Sequence, residues 1–284
     1  MELRVSAIYK ETVHELSLIY GEREAEIIAN MLFEDLLLIP KTSRIIKPNH
    51  ELTVNQISQI NEASLRLKKD EPIQHILGQA HFYNRVFKVN KNTLIPRPET
   101  EELVDLIKNE NRYGHLSILD IGTGTGCIAI SLAKELHLAV VKGIDISDDA
   151  LKVAKENAGL NEVEIEFQKI DILQSEIPWK DLDIIVSNPP YIPNNEKVMM
   201  NKNVTNYEPH LALFVPNEDS LLFYRAIAEK GLKSLKADGK LYFEIHESFG
   251  KETSALLEQI GYSHVTIIQD MQCKDRMIRA VKEI

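Results

Sequence analysis

Residues 117–126 read Ser-Ile-Leu-Asp-Ile-Gly-Thr-Gly-Thr-Gly and predict a buried strand that turns through three glycines into a helix. From residue 116 onward the order strand, turn, helix repeats along the chain. This alternation predicts an α/β fold with a parallel, doubly wound sheet that carries helices on both faces. Ligands of such sheets bind at the carboxyl ends of the strands, near the reversal of strand order.

Apolar runs and turn residues set the expected limits of these elements. The strands are expected at 117–121, 139–145, 163–170, 182–187, 240–245, 264–269 and 277–281. The helices are expected at 127–136, 148–157, 220–235 and 250–260.

The N-terminal part of the chain has a helical pattern and no catalytic constellation. Apolar residues recur at three-to-four spacing over residues 5–19 and again over 23–39, where Pro40 is expected to end the helix. Thr53 is the expected N-cap of a third helix. We therefore expect a small helical bundle here.

The segment that follows changes in composition. Residues 82–89 are aromatic and β-branched, with a turn expected at Asn84-Arg85, which predicts a short hairpin. The prolines of 96–98 are expected to delay the next helix until after Glu99. The expected domains are therefore a helical domain at 1–75, a β-hairpin linker at 76–98 and an α/β domain at 99–284.

Composition excludes several classes of protein. The 284 residues are 44% hydrophobic and 27% charged, which is typical of a globular fold with a full core. A net charge of −10 argues against wholesale coating of a nucleic-acid backbone, and favours a basic protein partner. Two cysteines, the absence of an 18-residue apolar run and the absence of a signal-peptide pattern lead us to expect a cytoplasmic protein.

The glycine loop favours a small zwitterion or nucleoside ligand. Gly122, Gly124 and Gly126 have the spacing G-x-G-x-G and not the G-x-G-x-x-G of dinucleotide binders, so a pyrophosphate is not strongly implied. Asp145, nineteen residues after Gly126, ends the second strand, where a carboxylate can accept both hydroxyls of a ribose. Thr123 and Thr125 are expected to be structural.

Two further aspartates have alternative interpretations. Asp171, at the end of the third strand, could accept the exocyclic amine of an adenine, or it could cap a helix. Asp120 could contact the amino group of the ligand, or it could only brace the loop.

A tetrapeptide follows the fourth strand, namely Asn188-Pro189-Pro190-Tyr191. The Asn188 side-chain oxygen and the Pro189 carbonyl can accept hydrogen bonds from the two N–H groups of a planar amide or aromatic amine. Tyr191 could pack against the flat face of that group. This pattern predicts a site for an amide substrate, and a turn that only ends a strand is the weaker alternative.

The nine histidines have no spacing typical of metal ligands, so no metal site is expected. His246 follows the fifth strand, near the expected cleft, and is the one histidine that we retain as a candidate for lining the site. Trp179 is expected to pack in the core, with a smaller chance of lying near an adenine.

Several segments follow the order of a known family signature. They are 71–78, Phe82, 93–101, 120–126, 188–191, 207–209 and 211–213. On these segments the chain resembles the HemK/PrmC-type peptide chain release factor glutamine methyltransferases over nearly its whole length. The linker signature at 93–101 with the tetrapeptide makes the resemblance specific, because Asn-Pro-Pro-Tyr alone also occurs in adenine-N6 methyltransferases of DNA.

The resemblance implies a Rossmann-like class I methyltransferase fold with a seven-stranded mixed sheet, and S-adenosyl-L-methionine as cofactor. The implied reaction is methylation of the side-chain N5 of glutamine in the Gly-Gly-Gln loop of class 1 release factors. The helical domain is implied to help hold the release factor. We expect a monomer that contacts neither nucleic acid nor membrane directly.

The resemblance also assigns residues. The cofactor is placed on Gly122, Thr123, Gly124, Thr125, Gly126, Asp145 and Asn188, and we add Asp171 and Ile172 at the end of the third strand to the expected cofactor-binding residues. The substrate glutamine is placed on Asn188, Pro189, Pro190 and Tyr191. The chain departs from the family pattern at Ile172, where an aromatic residue is frequent, and at His246 and Phe249 after the fifth strand.

Three other functions remain open on the residues alone. An adenine-N6 methyltransferase of nucleic acid shares both motifs but needs a basic groove. A glutamine methyltransferase of a ribosomal protein is closer still. A non-catalytic adaptor that only binds the cofactor or a partner is disfavoured by the intact motifs.

Overall fold

A computed structural model describes residues 3–283, which form two compact units. The first unit comprises the described residues up to Gly78 together with Lys202–Tyr207. The second comprises Gln79–Asn201 and the described residues from Glu208 onward. Each unit buries its own hydrophobic cluster, so each has a core of its own.

The first unit is helical. Its helices are α1 Val5–Tyr20, α2 Glu22–Met31, α3 Lys41–Ile46, α4 Val54–Leu67 and α5 Ile73–Leu77. Leu16, Leu32, Phe33 and Leu67 are fully buried at its centre. The apolar three-to-four spacing of the sequence thus corresponds to the faces that pack together.

Two helix ends in this unit follow from local chemistry. Thr53 caps α4 through a capping box, in which the Thr53 hydroxyl accepts from the Gln56 N–H and the Gln56 side chain accepts from the Thr53 N–H. The expected helix over 23–39 stops earlier, because α2 ends at Met31 and continues only as a π-helix over Leu32–Leu36. Pro40 disfavours helical geometry at the residue before it.

The second unit begins with a hairpin of β1 Gln79–Phe82 and β2 Arg85–Lys88. Its turn is Tyr83-Asn84, one residue earlier than expected, and both residues have positive φ. That conformation matches the twist of two antiparallel strands joined by two residues.

The remaining elements are six α-helices and nine strands within the described residues. The helices are α6 Pro98–Glu110, α7 Cys127–Glu135, α8 Asp148–Leu160, α9 Lys202–Thr205 (which belongs to the first unit), α10 Leu222–Ser234 and α11 Gly250–Ile260. The strands are β3 Ser117–Ile121, β4 Val140–Asp145, β5 Glu166–Lys169, β6 Leu182–Ser187, β7 Ile192–Pro193, β8 Phe214–Val215, β9 Leu235–Glu244, β10 Tyr262–Gln269 and β11 Asp275–Lys282. None of the helices within residues 3–283 has the length and apolarity that crossing a membrane requires.

Seven strands form one sheet in the order β10-β11-β9-β6-β3-β4-β5. The strands β5, β4, β3, β6 and β9 are parallel, whereas β11 runs antiparallel to both of its neighbours. The expected class I methyltransferase fold with a seven-stranded mixed sheet is therefore confirmed. The strand order reverses between β3 and β6, and the carboxyl ends of these strands meet there.

The central strands bury both faces, as parallel strands covered by helices must. On β3, Ile118 belongs to one core cluster and Leu119 to the other. On β6, Ile184 and Ile185 divide in the same way.

Several expected limits were wrong. The strand expected over 163–170 is only Glu166–Lys169, because this edge strand pairs with β4 alone. The strand expected from 240 begins at Leu235 and contains a register shift. The helix expected after Glu99 begins at Pro98, since proline is tolerated in the first helical turn.

Candidate active site

The loop between β3 and α7 has the conformation that its glycines permit. Gly122, Gly124 and Gly126 have φ of 72°, 55° and 79°. The N–H groups of Gly122 and Thr123 both donate to the Ile144 carbonyl, at 2.8 and 3.0 Å, which ties the loop to β4. An added Cβ at Gly122 would meet nothing within 4 Å, so the loop backbone is open on that side.

Gly126 has a different role from the first two glycines. A Cβ there would lie 3.0 Å from Ile130 Cδ1 and 3.3 Å from the Ala154 Cβ. Gly126 therefore allows the start of α7 to pack closely against Ala154 of α8, and it does not line the cavity described below.

Asp120 braces this loop from within the core. It is fully buried, and its Oδ2 accepts a 2.6 Å hydrogen bond from the Thr123 hydroxyl. Burial raises the pKa of Asp120 to about 7. Asp120, Thr123 and Thr125 lie outside the cavity lining, and the hydrogen bond from Thr123 supports the interpretation of Asp120 as a residue that braces the loop.

A cavity of about 210 Å³ lies at the carboxyl ends of β3, β4 and β6. Its lining includes Gly122, Gly124, Asp145, Asp171, Ile172, Asn188, Pro189 and Pro190. The structure therefore brings the glycine loop, both strand-end carboxylates and most of the tetrapeptide to one cavity.

Asp145 connects the glycine loop to the end of β4. Its Oδ2 accepts from the Gly124 N–H and its Oδ1 from the Ser147 N–H, both at 2.9 Å. Burial raises its pKa, although these backbone hydrogen bonds act in the opposite direction. Each oxygen retains a second lone pair, so the carboxylate can still accept hydroxyl groups.

Asp171 both lines the cavity and stabilises a turn. Its Oδ1 accepts from the Leu173 N–H at 2.9 Å, and its carbonyl accepts from Gln174 and Ser175. The adjacent Ile172 is buried and lines the same wall. Its backbone carbonyl accepts a hydrogen bond from Lys230 Nζ, which fixes this segment.

Asn188 follows β6 and is held by a residue of the linker signature. Its Nδ2 donates to the Thr100 hydroxyl oxygen at 3.3 Å, and that hydroxyl donates to Glu244 Oε2 at 2.6 Å. Thr100 and Glu244 are both buried. The Asn188 amide is thus oriented by its Nδ2 group.

Tyr191 ends the tetrapeptide and does not line the cavity. Its hydroxyl donates to Glu244 Oε1 at 3.0 Å, and its ring meets the His246 ring edge-on at 6.0 Å between centroids. Burial raises the pKa of Tyr191, with the Glu244 charge adding to the effect, so the phenol stays protonated.

Two further segments, for which we predicted no role in the site, complete the cavity. Thr93 and Leu94 lie on one side, and Pro209 with Ala212 on another. They are joined through Glu208, which is buried.

Glu208 makes two contacts to the first of these segments. Its Oε1 pairs with Arg97 at 2.5 Å, and its Oε2 accepts from the Ile95 N–H at 2.9 Å. Both segments belong to the family signature described above, and this membership was the one indication in the sequence that they lie at the site. Thr100 carried the same signal, whereas nothing near Glu244 indicated its contact with the tetrapeptide.

His246 and Trp179 lie outside the cavity. His246 Nε2 is 3.2 Å from Glu196 Oε2, and the ring packs against Phe249. Trp179 packs at a core cluster with Lys142 Nζ 5.2 Å from its ring. Among residues 3–283, no three His, Cys, Asp or Glu side chains group so that they could hold a metal ion.

The donors and acceptors of the cavity fit an adenosyl amino acid. Open glycine backbone at Gly122 suits the close approach of a small zwitterion. Asp145 and Asp171 offer carboxylate oxygens at two strand ends for hydroxyl and amine hydrogens. Apolar walls such as Ile172 and Ile227 suit a purine face.

Two protein families match the chain. The family described as "Methyltransferase small domain" matches residues 99–207, and the one described as "PrmC N-terminal domain" matches residues 8–78.

Curated relatives match over nearly the whole chain. The release factor glutamine methyltransferase of Flavobacterium psychrophilum is 49% identical, over 94% of this chain and 95% of that protein. The protein of the same name from Bacteroides thetaiotaomicron is 41% identical, over 98% and 99%.

A solved structure shares the fold. The crystal structure of a methyltransferase from Pyrococcus furiosus covers 82% of this chain and all of that chain, with a TM-score of 0.53 and 16% identity.

Proposed function

The chain belongs to the family of release factor glutamine methyltransferases, and on that premise we propose how its cavity residues act in the reaction. The protein uses S-adenosyl-L-methionine to methylate the side-chain N5 of the glutamine in the Gly-Gly-Gln motif of a release factor. The observation that carries this assignment is a single cavity lined by both the glycine loop and Asn188-Pro189-Pro190.

The cofactor is bound by the glycine loop after β3 and by residues at the ends of β4 and β5. We assign Gly122, Gly124 and Asp145 to the amino acid and ribose parts, with Asp171 and Ile172 beside the base. Gly126, Thr123 and Thr125 support the loop from behind. When bound, S-adenosyl-L-methionine supplies a methyl group on a positively charged sulfur, which keeps the bonding electrons as the methyl leaves.

The tetrapeptide acts on the substrate amide. An amide nitrogen is a weak nucleophile, because its lone pair is delocalised into the carbonyl. Asn188 Oδ1 and the Pro189 carbonyl oxygen accept the two N–H groups and favour localisation of the lone pair on nitrogen. These acceptors bind the amide more tightly as positive charge develops on its nitrogen.

Proline suits its two positions in this motif. Neither ring nitrogen carries a hydrogen, and each ring fixes φ, so the backbone here has little freedom and offers only carbonyl acceptors. Pro189 is buried and Pro190 lines the cavity. Tyr191 follows Pro190 in the chain and is held by its hydrogen bond to Glu244, and its role toward the amide plane is part of the proposal. Alignment of nitrogen, methyl and sulfur supplies a further large part of the rate.

We propose class 1 release factors as the substrates, with the helical residues 1–75 helping to hold them and the hairpin at 76–98 connecting to the catalytic residues 99–284. We also propose a cytoplasmic monomer that contacts no nucleic acid directly. Support comes from the acidic balance of −10, which suits a basic protein partner better than a phosphate backbone.

The experiment that tests this function incubates the purified protein with S-adenosyl-L-methionine and a release factor, and maps the methylated residue by mass spectrometry. Asn188→Ala is expected to abolish measurable methylation, a loss of at least about 100-fold in kcat, because one of the two acceptors is removed. Cofactor binding, measured by calorimetry, is expected to remain largely in place.

The matched control is Asn109→Ala, which removes an exposed asparagine of α6 away from the cavity and is expected to retain full activity. Full activity of Asn188→Ala would contradict the assigned role. Methyl transfer to DNA in place of the release factor would contradict the function itself.

A further inference from the structure

Glu244 is the last residue of β9 and is buried in the second unit, which contains the cavity. Its two carboxylate oxygens have different partners. Oε2 accepts from the Thr100 hydroxyl at 2.6 Å, and Oε1 accepts from the Tyr191 hydroxyl at 3.0 Å. One carboxylate therefore contacts Tyr191 directly and reaches Asn188 through Thr100.

The direction of these hydrogen bonds depends on the charge of Glu244. While its carboxylate is ionised it has only acceptors, so the single Thr100 hydroxyl hydrogen points to it. The 2.6 Å separation is in the range of O–H···O⁻ bonds. Thr100 Oγ1 then has only lone pairs to offer, and it accepts from the Asn188 Nδ2 group at 3.3 Å.

This direction decides which end of the Asn188 amide faces the substrate. With Nδ2 bound to Thr100, Oδ1 points away and is free to accept a substrate N–H. If the acid were protonated or replaced by an amide, it could donate to Thr100. The Thr100 hydroxyl could then donate to Oδ1, and the amide would turn its N–H groups toward the substrate N–H groups.

We propose that Glu244 is a positioning residue, which acts through Thr100 to hold Asn188 with its oxygen toward the substrate amide and holds Tyr191 directly. This inference rests on the proposed function. It assigns Thr100, in the linker signature, a part in the same chain of hydrogen bonds. Thr100 and Glu244 are 144 residues apart in the sequence.

The burial of Glu244 supports a specific role. A carboxylate removed from water is costly unless it is hydrogen-bonded, and an apolar side chain would fill the end of a buried strand at lower cost. The titratable or charged groups that act on or hydrogen-bond to Glu244 are Arg276, Glu99, Tyr191, Tyr224 and Cys127. Arg276, the cation among them, is paired with Asp270.

The test compares Glu244→Gln, Thr100→Val, Thr100→Ser and the double variant Thr100→Val/Glu244→Gln in the intact protein. The measurements are kcat and KM for a release factor, the dissociation constant of the cofactor by calorimetry, and the melting temperature. Thr100→Val matches the shape of threonine, so the test does not depend on whether Glu244→Gln folds.

We expect Glu244→Gln and Thr100→Val each to lower kcat by about 10- to 100-fold, the range for losing a hydrogen bond to a charged group. Cofactor affinity is expected to change less than about threefold, since neither residue lines the cavity. Thr100→Ser keeps the hydroxyl and should recover most of the kcat that Thr100→Val loses. The kcat of the double variant should be about the same as that of the slower single variant. The two residues act through the same chain of hydrogen bonds, so the second substitution has little left to remove.

Glu258→Gln and Thr266→Val are the matched controls, both on exposed positions, and should leave kcat unchanged. The proposal is overturned if Thr100→Val keeps the wild-type kcat, if Thr100→Ser is as slow as Thr100→Val, or if the single losses multiply in the double variant. A wild-type protein that methylates no release factor overturns the function, whereas an active wild type with unaffected variants overturns only the positioning role.

Discussion

Asp120 and Glu244 are two buried carboxylates of the catalytic unit whose surroundings differ. Glu244 has a hydroxyl donor at each oxygen, and both donors belong to the matched signature segments. Asp120 accepts one hydroxyl, from Thr123, deep in the core beneath the glycine loop. Burial raises the pKa of both, and for Asp120 it does so to about 7.

This raised pKa makes the contribution of Asp120 to stability dependent on pH. Between its ordinary value of 3.8 and about 7, the folded protein binds the proton more tightly than the unfolded chain, so stability falls as pH rises through this window. Asp120→Asn removes the titration and keeps an acceptor for Thr123. At pH 8 the variant should be more stable than the wild type, by at most roughly 4 kcal/mol.

Urea unfolding at several pH values checks this prediction. The difference in unfolding free energy between variant and wild type should shrink as pH falls and vanish below about pH 4. A difference that stays the same at every pH would show that Asp120 is not the titrating group.

At the residue scale, sequence predicts those site residues whose chemistry depends on near neighbours. Gly122 and Asn188 each follow a strand and Asp145 ends one, and this position alone brings them to one edge of the sheet. Glu244 could not be assigned in this way, because its role depends on contact with Thr100 across 144 residues.

At the scale of elements, the centre of the sheet was predicted and its margins were not. The buried runs of β3 and β6 have the expected limits, since burial on both faces leaves no alternative pattern. The edge strand β5 was overestimated, because tertiary pairing with a single neighbour decides its length. The antiparallel course of β11 follows from a tight connection that strand patterns do not reveal.

At two glycines of neighbouring helices, substitution by alanine is expected to change stability in opposite directions. Gly126 precedes α7 with φ of 79°, and a Cβ there would lie 3.0 Å from Ile130 Cδ1. Gly126→Ala should lower the free energy of unfolding by about 1–2 kcal/mol from the left-handed backbone alone. Gly159, within α8, has nothing within 4 Å of its Cβ position, so Gly159→Ala should raise stability by up to about 1 kcal/mol.

Chemical denaturation of the two alanine variants beside the wild type is the measurement. Because both substitutions add one methyl group, Gly159→Ala is a control for the added methyl itself. The conformational argument fails if Gly126→Ala is as stable as the wild type.

At the scale of the whole molecule, the net charge of −10 affects how substrate is found. Complementary charge raises the rate of encounter with a basic protein partner, and dissolved salt screens this attraction. For a release factor that presents a positively charged surface, kcat/KM should fall by roughly tenfold between low and high ionic strength. For a short, uncharged peptide that contains the glutamine it should change little.

Steady-state kinetics over a salt series, with both substrates, checks this prediction. The peptide is the control for any effect of salt on the chemical step. A kcat/KM for the intact factor that is constant, or that rises with salt, would rule out electrostatic attraction between the partners.

The contact between Glu208 and the Ile95 N–H has a consequence for how the enzyme matures. The two residues are 113 positions apart, and the ribosome delivers them in that order. A nascent chain can present its glycine loop well before Glu208 emerges, but the wall that Pro209 and Ala212 contribute is then missing. The growing polypeptide therefore gains a complete receptacle for its methyl donor only late in translation.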